Sequence, residues 1–270
     1  MALLIVIVAV VIYAGFRRIQ PVLQGTGCRA VSGGETYALD PEQAGIAATI
    51  AGVAHRQSMP EAAVTIAYAA ALQESKMHDL HYGDMDSVGV FQQRPSEGWG
   101  PTRDLEDPVY ATTKFFQALA RVHGYLTMPV YQAAQAVQRS ADGTAYMQYQ
   151  GMAAGLAAVF TGGRAHAVSC WSAAASPKRA DLAAADQELD KTFGTVPEDG
   201  TESPASGGTA QVRVTQTPTG WEVANWLVTH AASYGIHEVR YGGYQWQASH
   251  GYHGWSKDAG PPPPGVIQVN

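Results

Sequence analysis

Glu74 is the residue whose type and position point most directly to chemistry. It follows the apolar run VTIAYAAAL and precedes a segment rich in glycine and proline, residues 77–103. A carboxyl group at the edge of an apolar core loses hydration, which favours its neutral acid form. Such an acid can donate a proton to a leaving oxygen. The helix dipole disfavours glutamate near a helix C-terminus, so we interpret Glu74 as a catalytic candidate, against the alternative of an ordinary surface residue.

The elements that must position Glu74 are predicted to be helices. Asp40 followed by Pro41, and Pro60 followed by Glu61, are typical helix starts. The predicted helices span residues 41–56, 61–76, 108–122, 130–140 and 144–160. Residues 20–39 are expected to be an extended lead-in, and no strand is predicted before residue 170. The long irregular segment 77–103 is expected to be functional, as such loops in compact domains usually are.

A second, smaller unit is predicted after a linker. Residues 177–192 have the pattern of a short amphipathic helix, and residues 195–210 are mostly Thr, Pro, Glu, Asp, Gly and Ser, which is typical of a flexible linker. A helix over 221–233 and strands over 237–241 and 244–248 follow. The predicted domains are an N-terminal membrane segment (1–19), a mainly α domain (38–170), a helix with linker (171–216) and a small α+β domain (217–270).

The composition excludes several function classes. Hydrophobic residues make up 46% of the 270 residues, too many for a disordered chain. The net charge is −6 and no basic stripe is present, which disfavours nucleic acid as a partner.

The N-terminus predicts a membrane segment. Residues 2–16 are uncharged and mostly apolar, and Arg17 and Arg18 follow. We interpret this segment as an uncleaved signal anchor, which places the domains on the extracytoplasmic side of a single-pass protein, or releases them if the segment is cleaved. The arginine pair after the apolar run favours the opposite orientation, so a cytoplasm-facing protein stays open as an alternative.

The chain has two cysteines, Cys28 and Cys170, which bracket the predicted helical domain. Outside the cytoplasm, two cysteines and no more predict one disulfide.

The segment from Glu74 to Gln93 resembles a known family. Glu74-Ser75 at a helix end, followed by Ser87-x-Gly89-Val90-Phe91-Gln92, is similar to the paired motif of the lytic transglycosylase-like domains of the lysozyme superfamily. The run YGDMDSVGVFQQRPSEGWG resembles the secreted actinobacterial type of this fold. The resemblance covers about residues 38–170 and implies a lysozyme-like helical domain.

The resemblance implies cleavage of the β-1,4 bond between N-acetylmuramic acid and N-acetylglucosamine in peptidoglycan, with Glu74 as the single catalytic acid/base and no cofactor. It implies that nearby polar side chains bind the glycan. The candidates for substrate binding are Ser75, Ser87, Gln92, Gln93, Gln138 and Tyr146. Phe91 and Trp99 are candidates for stacking on sugar faces, or for the core.

A hydrolytic enzyme of this kind would need a second carboxylate. Asp84 and Asp86 are the candidates, with turn formation as the alternative role. The family's Ala-Tyr-Asn-Ala-Gly motif is absent, because the corresponding stretch is AQAVQRS at residues 134–140. Gln138, Arg139, Tyr146 or Tyr149 are candidates to replace its side chains.

The C-terminal unit has the pattern W-x-V-A-x-W-L-V from Trp221, followed by Y-G-I-x-x-V-x-Y-x-x-x-x-W from Tyr234. This pattern resembles a small domain of actinobacterial cell-wall proteins that is distantly related to zinc carboxypeptidase-like folds. His250 and His253 have a spacing that metal sites use, but no Cys or nearby carboxylate beyond Asp258 completes a ligand set, so we predict no metal and a binding or docking role.

The sequence therefore favours two alternative functions. The first is a membrane-anchored peptidoglycan lytic transglycosylase. The second is a catalytically inactive protein of the same fold that binds glycan strands or scaffolds cell-envelope proteins.

Overall fold

The computed structural model describes residues 25–140, 143–172, 179–194 and 209–270. The chain is a mixture of helices and two antiparallel sheets. The first sheet begins with the hairpin of β1 (Gly27–Ser32) and β2 (Glu35–Leu39). Gly33 and Gly34 connect them with positive φ angles of 60° and 87°, as tight hairpin turns require. The expectation of an extended lead-in without strands is therefore wrong.

The third strand, β3 (Val168–Trp171), pairs with β1 from the far end of the helical region. It places Cys28 directly opposite Cys170. The two residues form the predicted disulfide, with their Cα atoms 4.0 Å apart, somewhat closer than the roughly 4.5 Å of the narrow pairs of an antiparallel ladder. The disulfide prediction is confirmed.

The chain between β2 and β3 is mainly helical. Asp40 caps α1 through a reciprocal pair of hydrogen bonds with Gln43, 2.9 and 3.0 Å long, which satisfies backbone donors that a helix start leaves open. The second helix, α2, is buried on all sides from Ala63 to Leu72, as its uniformly apolar sequence predicts. The helices of this region are α1 (Pro41–Arg56), α2 (Glu61–Glu74), α3 (Thr102–Leu105), α4 (Pro108–Leu119), α5 (Val130–Gln138) and α6 (Gln150–Phe160).

The starts of the first four predicted helices agree with the structure to the residue. Their ends lie two or three residues earlier than predicted for the second, third and fourth. The fifth predicted helix is divided, because a 3₁₀ turn, Met147–Tyr149, precedes α6.

The C-terminal part contains helices and the second sheet. Its elements are α7 (Leu182–Phe193), β4 (Ala210–Arg213), α8 (Thr217–Thr229), α9 (Ala231–Tyr234), β5 (Glu238–Tyr241), β6 (Tyr244–Gln247), β7 (Ser256–Lys257) and β8 (Val266–Val269). The strand order is β4-β8-β5-β6-β7, and all neighbours are antiparallel.

This C-terminal part packs directly on the helical region, and one apolar core includes residues of both. The Asn225 amide on α8 donates a 3.0 Å hydrogen bond to the Val159 carbonyl on α6. His55 on α1 pairs with the buried Glu222 on α8 at 3.0 Å. Gly162 lies so close to Pro218 that an added Cβ would come within 1.9 Å of its carbonyl oxygen.

Several predictions fall outside the described residues. They are the N-terminal membrane segment and most of the 195–210 linker, so the domain boundaries stay predictions. Within the described ranges, none of the helices combines the length and the apolar character needed to cross a membrane.

Candidate functional site

The site is built around the C-terminal end of α2, where Glu74 is half-buried. The helix ends at Glu74, and the next residues turn away with positive φ angles, 58° at Lys76 and 64° at Met77. The Tyr146 hydroxyl donates a hydrogen bond to Glu74 Oε1 at 2.5 Å. Among the described side chains, Tyr146 is the one that hydrogen-bonds Glu74. The structure therefore brings together two residues that are 72 positions apart in the chain.

Tyr146 is completely buried. Burial, together with its hydrogen bond to Glu74, raises the pKa of Tyr146 well above its usual value, because the phenolate would lose hydration and face a carboxylate. The phenol therefore keeps its proton throughout the physiological range. It can act as a fixed donor to one oxygen of Glu74 and leave the other oxygen for a ligand.

Ser75 connects the helix end to the loop that follows. Its side chain is buried, and its hydroxyl lies 2.7 Å from the Val90 carbonyl oxygen, to which it donates. The Ser75 hydroxyl oxygen in turn accepts a 3.1 Å hydrogen bond from the His78 amide. With these partners, Ser75 holds the 87–93 loop against the residue next to Glu74.

The loop itself is held in a narrow reverse turn. Val88 and Gln93 exchange backbone hydrogen bonds of 3.1 and 3.0 Å. Gly89, the first residue of the turn, has a φ of +75°, and its amide donates to the Leu80 carbonyl at 2.7 Å. A Cβ at position 89 would lie 2.2 Å from the Leu105 carbonyl oxygen. The glycine of the motif is therefore required both by its backbone conformation and by the lack of space.

The polar residues of the motif differ in their accessibility. Ser87 and Gln93 are buried, and the Gln93 amide donates to the Ala111 carbonyl at 3.3 Å. Gln92 is half-buried, and its amide nitrogen lies 3.3 Å from the carbonyl oxygens of both Tyr82 and Gly89. Among these three, Gln92 is the most accessible to a ligand.

A second connection runs from the loop to α5. The Gln138 amide, at the last residue of α5, donates a 2.7 Å hydrogen bond to the Phe91 carbonyl. Arg139 follows in the left-handed conformation, with a φ of 54°, and ends the helix. Gln138 therefore positions the loop, while Tyr146 is the residue that contacts the acid.

The 3₁₀ turn after Tyr146 is fixed to the same end of α2. Gln148 donates to the Gln73 side chain at 3.3 Å. The Lys76 ammonium group donates to the Tyr149 hydroxyl at 2.5 Å and lies 4.8 Å from the centre of its ring. These contacts support the orientation of Tyr146 from both sides of Glu74.

The two candidates for a second carboxylate lie in different surroundings. Asp86 accepts hydrogen bonds from Arg94 Nε at 2.9 Å and from the Ser96 amide at 2.8 Å. The Arg94 guanidinium and the Ser96 donors lower the pKa of Asp86 to about 2. Asp84 is exposed, and its carbonyl accepts from the Ser87 amide at 3.0 Å. Both residues thus take part in loop structure, as their alternative role predicts.

The two aromatic candidates, Phe91 and Trp99, differ in their burial. Phe91 is completely buried and stacks on Phe115, with ring centres 4.5 Å apart, so it belongs to the core. Trp99 is half-buried and packs against the same core.

Sequence reasoning did not find Asp79, which follows Glu74 by five residues. Its Oδ1 is buried and has no hydrogen-bond partner among the described residues. Burial raises the pKa of Asp79 to about 6, with the nearby His81 acting against this rise and the carboxylates of Glu106 and Glu42 adding to it. The sequence carried no signal for this, because Glu42 and Glu106 come from distant segments.

His250 and His253 are both exposed on the 3₁₀ turn Ala248–His253. The His250 ring nitrogen lies 3.0 Å from the Ser249 hydroxyl, and His253 packs edge-on against Tyr252. In the described part of the chain, three or more His, Cys, Asp or Glu side chains nowhere cluster in a way that could hold a metal ion.

The sequence matches no family profile, and none of the curated proteins compared with it is a match.

Proposed function

We propose that this protein is a peptidoglycan lytic transglycosylase with Glu74 as its acid/base. The observation that carries the proposal is the 2.5 Å hydrogen bond from buried Tyr146 to half-buried Glu74. It gives the carboxyl group a fixed orientation at a helix end, next to the loop that contains the resembling motif. A salt bridge or a fully buried network around Glu74 would instead have indicated a structural role.

The reaction requires two proton transfers by one residue. Glu74, as an acid, donates its proton to the glycosidic oxygen while the bond from that oxygen to the muramyl C1 breaks. The Glu74 carboxylate then accepts the proton of the muramyl 6-hydroxyl, whose oxygen bonds to C1 and closes a 1,6-anhydro ring. Glu74 ends the cycle protonated, and no water is consumed. Tyr146 donates to the carboxyl group throughout and holds it in place.

The surroundings of Asp84 and Asp86 favour this route over hydrolysis. A retaining or inverting hydrolase needs a second carboxylate that can act on the sugar or on a water molecule. Asp86 is occupied by Arg94 and Ser96. Asp84 is exposed in a turn.

The proposal includes a location outside the cytoplasm. The disulfide between Cys28 and Cys170 supports it, since disulfides persist in oxidising compartments. Peptidoglycan lies there, and the apolar N-terminal segment would anchor the chain to the membrane.

A second candidate function is glycan binding without catalysis, in a scaffold of the cell envelope. It is favoured by one observation, the absence of the Ala-Tyr-Asn-Ala-Gly motif from the stretch that ends α5. In this case the same surface would hold a glycan strand without cleaving it.

The test is incubation of the full chain with purified sacculi, followed by mass spectrometry of the released fragments. We expect anhydro-muropeptides from the wild type and none from Glu74→Gln, since loss of proton transfer costs roughly a hundred- to ten-thousand-fold in rate. Glu61→Gln, at the exposed start of the same helix, is the matched control and should retain activity.

Other outcomes discriminate between the alternatives. Fragments with reducing ends would identify a hydrolase. Sedimentation of the wild type with sacculi and no release of fragments would replace the enzyme by the binding protein. Full activity of Glu74→Gln would refute the assignment of Glu74.

A further inference from the structure

Three side chains from distant parts of the chain meet beside the disulfide. They are Arg29 on β1, Trp171 at the end of β3 and Tyr252 on the 3₁₀ turn Ala248–His253. The Arg29 guanidinium carbon lies 5.9 Å from the Trp171 ring centre and 5.6 Å from the Tyr252 ring centre. The two rings meet edge to face, with centres 5.2 Å apart. None of these elements contributes a residue to the Glu74 site.

Arg29 has a positive charge that is not paired with any described carboxylate. In the described ranges, no Asp or Glu side chain forms an ion pair with it. Arg29 and Trp171 are half-buried, and Tyr252 is 37% exposed. The cluster therefore lies at the surface, with a cation and two aromatic rings that are each partly exposed.

A disulfide, strand pairing and a hydrogen bond fix the backbone around the cluster. Cys28, next to Arg29, is bonded to Cys170, next to Trp171. Gly27 pairs with Trp171 across the strands, and a Cβ there would lie 3.0 Å from the indole ring. The turn that carries Tyr252 is tied to β3 by the hydrogen bond from the Ser169 hydroxyl to the Gly251 carbonyl.

A second hydrogen bond joins the two parts of the chain at this point. The Trp255 indole donates to the Val168 carbonyl at 2.7 Å. Because the disulfide and these hydrogen bonds fix the backbone that carries the three side chains, a ligand would order less of the chain on binding, which reduces the entropic cost.

We propose that Arg29, Trp171 and Tyr252 form a binding site for an acidic sugar residue, separate from the Glu74 site. A guanidinium group recognises carboxylate or phosphate through paired hydrogen bonds. The aromatic rings offer apolar surface next to a polar edge, which matches a sugar ring with its C–H face and its hydroxyl groups. The ligand chemistry is thus a pyranose that carries a carboxylate or a phosphate.

The test is isothermal titration calorimetry on the full chain carrying Glu74→Gln, so that no probe can be consumed and the result does not depend on catalysis. The probes are a disaccharide muropeptide with free carboxylates, the same muropeptide with its carboxylates amidated, and a glycosylated polyol phosphate oligomer. The first and third probes distinguish a carboxylate source of the charge from a phosphate source.

We expect at least one acidic probe to bind, and the amidated muropeptide to bind at least tenfold more weakly than its acidic form if carboxylate is the source. Arg29→Gln and Tyr252→Leu should each raise the Kd of the bound acidic probe at least fivefold. Arg213→Gln, which changes an exposed strand arginine of the other sheet, is the control and should leave the Kd unchanged.

The proposal is overturned if neither acidic probe binds, or if Arg29→Gln and Arg213→Gln bind the acidic probe equally well. Thermal unfolding of each variant shows whether it is folded. If Arg29→Gln does not fold, Tyr252→Leu decides, because its partly exposed side chain can be shortened without opening the core.

Discussion

The contact between Tyr146 and Glu74 is the feature of single residues on which the proposed function depends. Tyr146→Phe removes the hydroxyl donor and keeps the ring in the core. We expect the turnover rate on sacculi to fall about 10- to 100-fold, since the carboxyl group loses its fixed orientation. The free energy of unfolding should fall by only about 1 kcal/mol, as for one lost hydrogen bond.

The matched control for this change is Tyr131→Phe, which removes a hydroxyl whose side-chain partner is the exposed Gln132. Its release of fragments should equal that of the wild type. Equal rates for Tyr146→Phe and the wild type would show that Glu74 acts without this donor.

The sequence alone predicted Glu74 as the catalytic acid/base. It named Tyr146 only as one of several candidates for the residues around it. Glu74 stands out locally, because an acidic residue ends an apolar helix next to a glycine-rich loop. Its partner is 72 residues away, and the chain between them contains three helices and several turns. Four residues were open as replacements for the missing motif, and only tertiary packing selects Tyr146 among them.

At the scale of elements, helices were predicted well where their start signals are local. Asp40 and Asp107, each followed by proline, accept hydrogen bonds from the first turn of their helices. The three strands of the first sheet were missed for two reasons. The Gly-Gly turn that joins β1 and β2 is a local hairpin signal, so this hairpin could have been predicted from the sequence. The third strand, β3, has four residues and pairs with β1 some 140 residues earlier, so its partner is not visible in any local pattern.

The loop that follows α2 gives a prediction at this scale. Gly89→Ala combines a positive φ with a Cβ only 2.2 Å from the Leu105 carbonyl oxygen. The backbone must move, and we expect a loss of about 3 kcal/mol in the free energy of unfolding. Release of fragments should also fall, because Gly89 lies between Ser87 and Gln92. Urea denaturation and the sacculus assay measure the two effects.

Gly98→Ala is a control that measures the cost of the backbone conformation without that of a steric clash. Gly98 has a similar φ of +80°, but no atom lies within 4 Å of an added Cβ. Its cost should be about 1 kcal/mol, from the backbone conformation alone. If Gly89→Ala were no more destabilising than Gly98→Ala, the close approach of α3 to the loop would not constrain the motif.

At the scale of the whole molecule, the helical region and the C-terminal part share buried polar contacts as well as apolar surface. Glu222 and Asn225 lie on the face of α8 that is packed inward, and each has a partner from the helical region. The apolar pattern of residues 221–228 correctly predicted a helix. The pattern could not indicate that α8 packs on α1 and α6, since its partners, His55 on α1 and the Val159 carbonyl on α6, come from distant elements.

His230 makes this packing sensitive to acid. Its ring stacks on Trp226, with centres 4.0 Å apart, and its Nδ1 donates to the Trp226 carbonyl at 2.8 Å. Its Nε2 points towards Gly45 of α1. Burial lowers the pKa of His230 from 6.5 to about 4, because a charged ring would lose hydration there. Between these two values the unfolded chain binds a proton that the folded chain does not.

Stability is therefore expected to fall as the pH is lowered from about 6.5 to about 4, by about 2 kcal/mol for this group. His55 and Glu222 also titrate with raised pKa values, through their mutual hydrogen bond and burial respectively. Protonation of either one stabilises the folded state, so this pair opposes His230. Both residues are retained in His230→Asn, so the difference between that variant and the wild type isolates the histidine.

The measurement is urea denaturation of the wild type and of His230→Asn at pH 7 and pH 4.5. Asparagine cannot become charged, and its amide can still donate to the Trp226 carbonyl. His230→Asn should be less stable at pH 7, because the ring that stacks on Trp226 is lost. It should then lose about 2 kcal/mol less than the wild type on acidification. Parallel losses in the two proteins would mean that His230 can be protonated in the folded state at little cost, which would contradict the loss of hydration expected from its packing between Trp226 and Gly45.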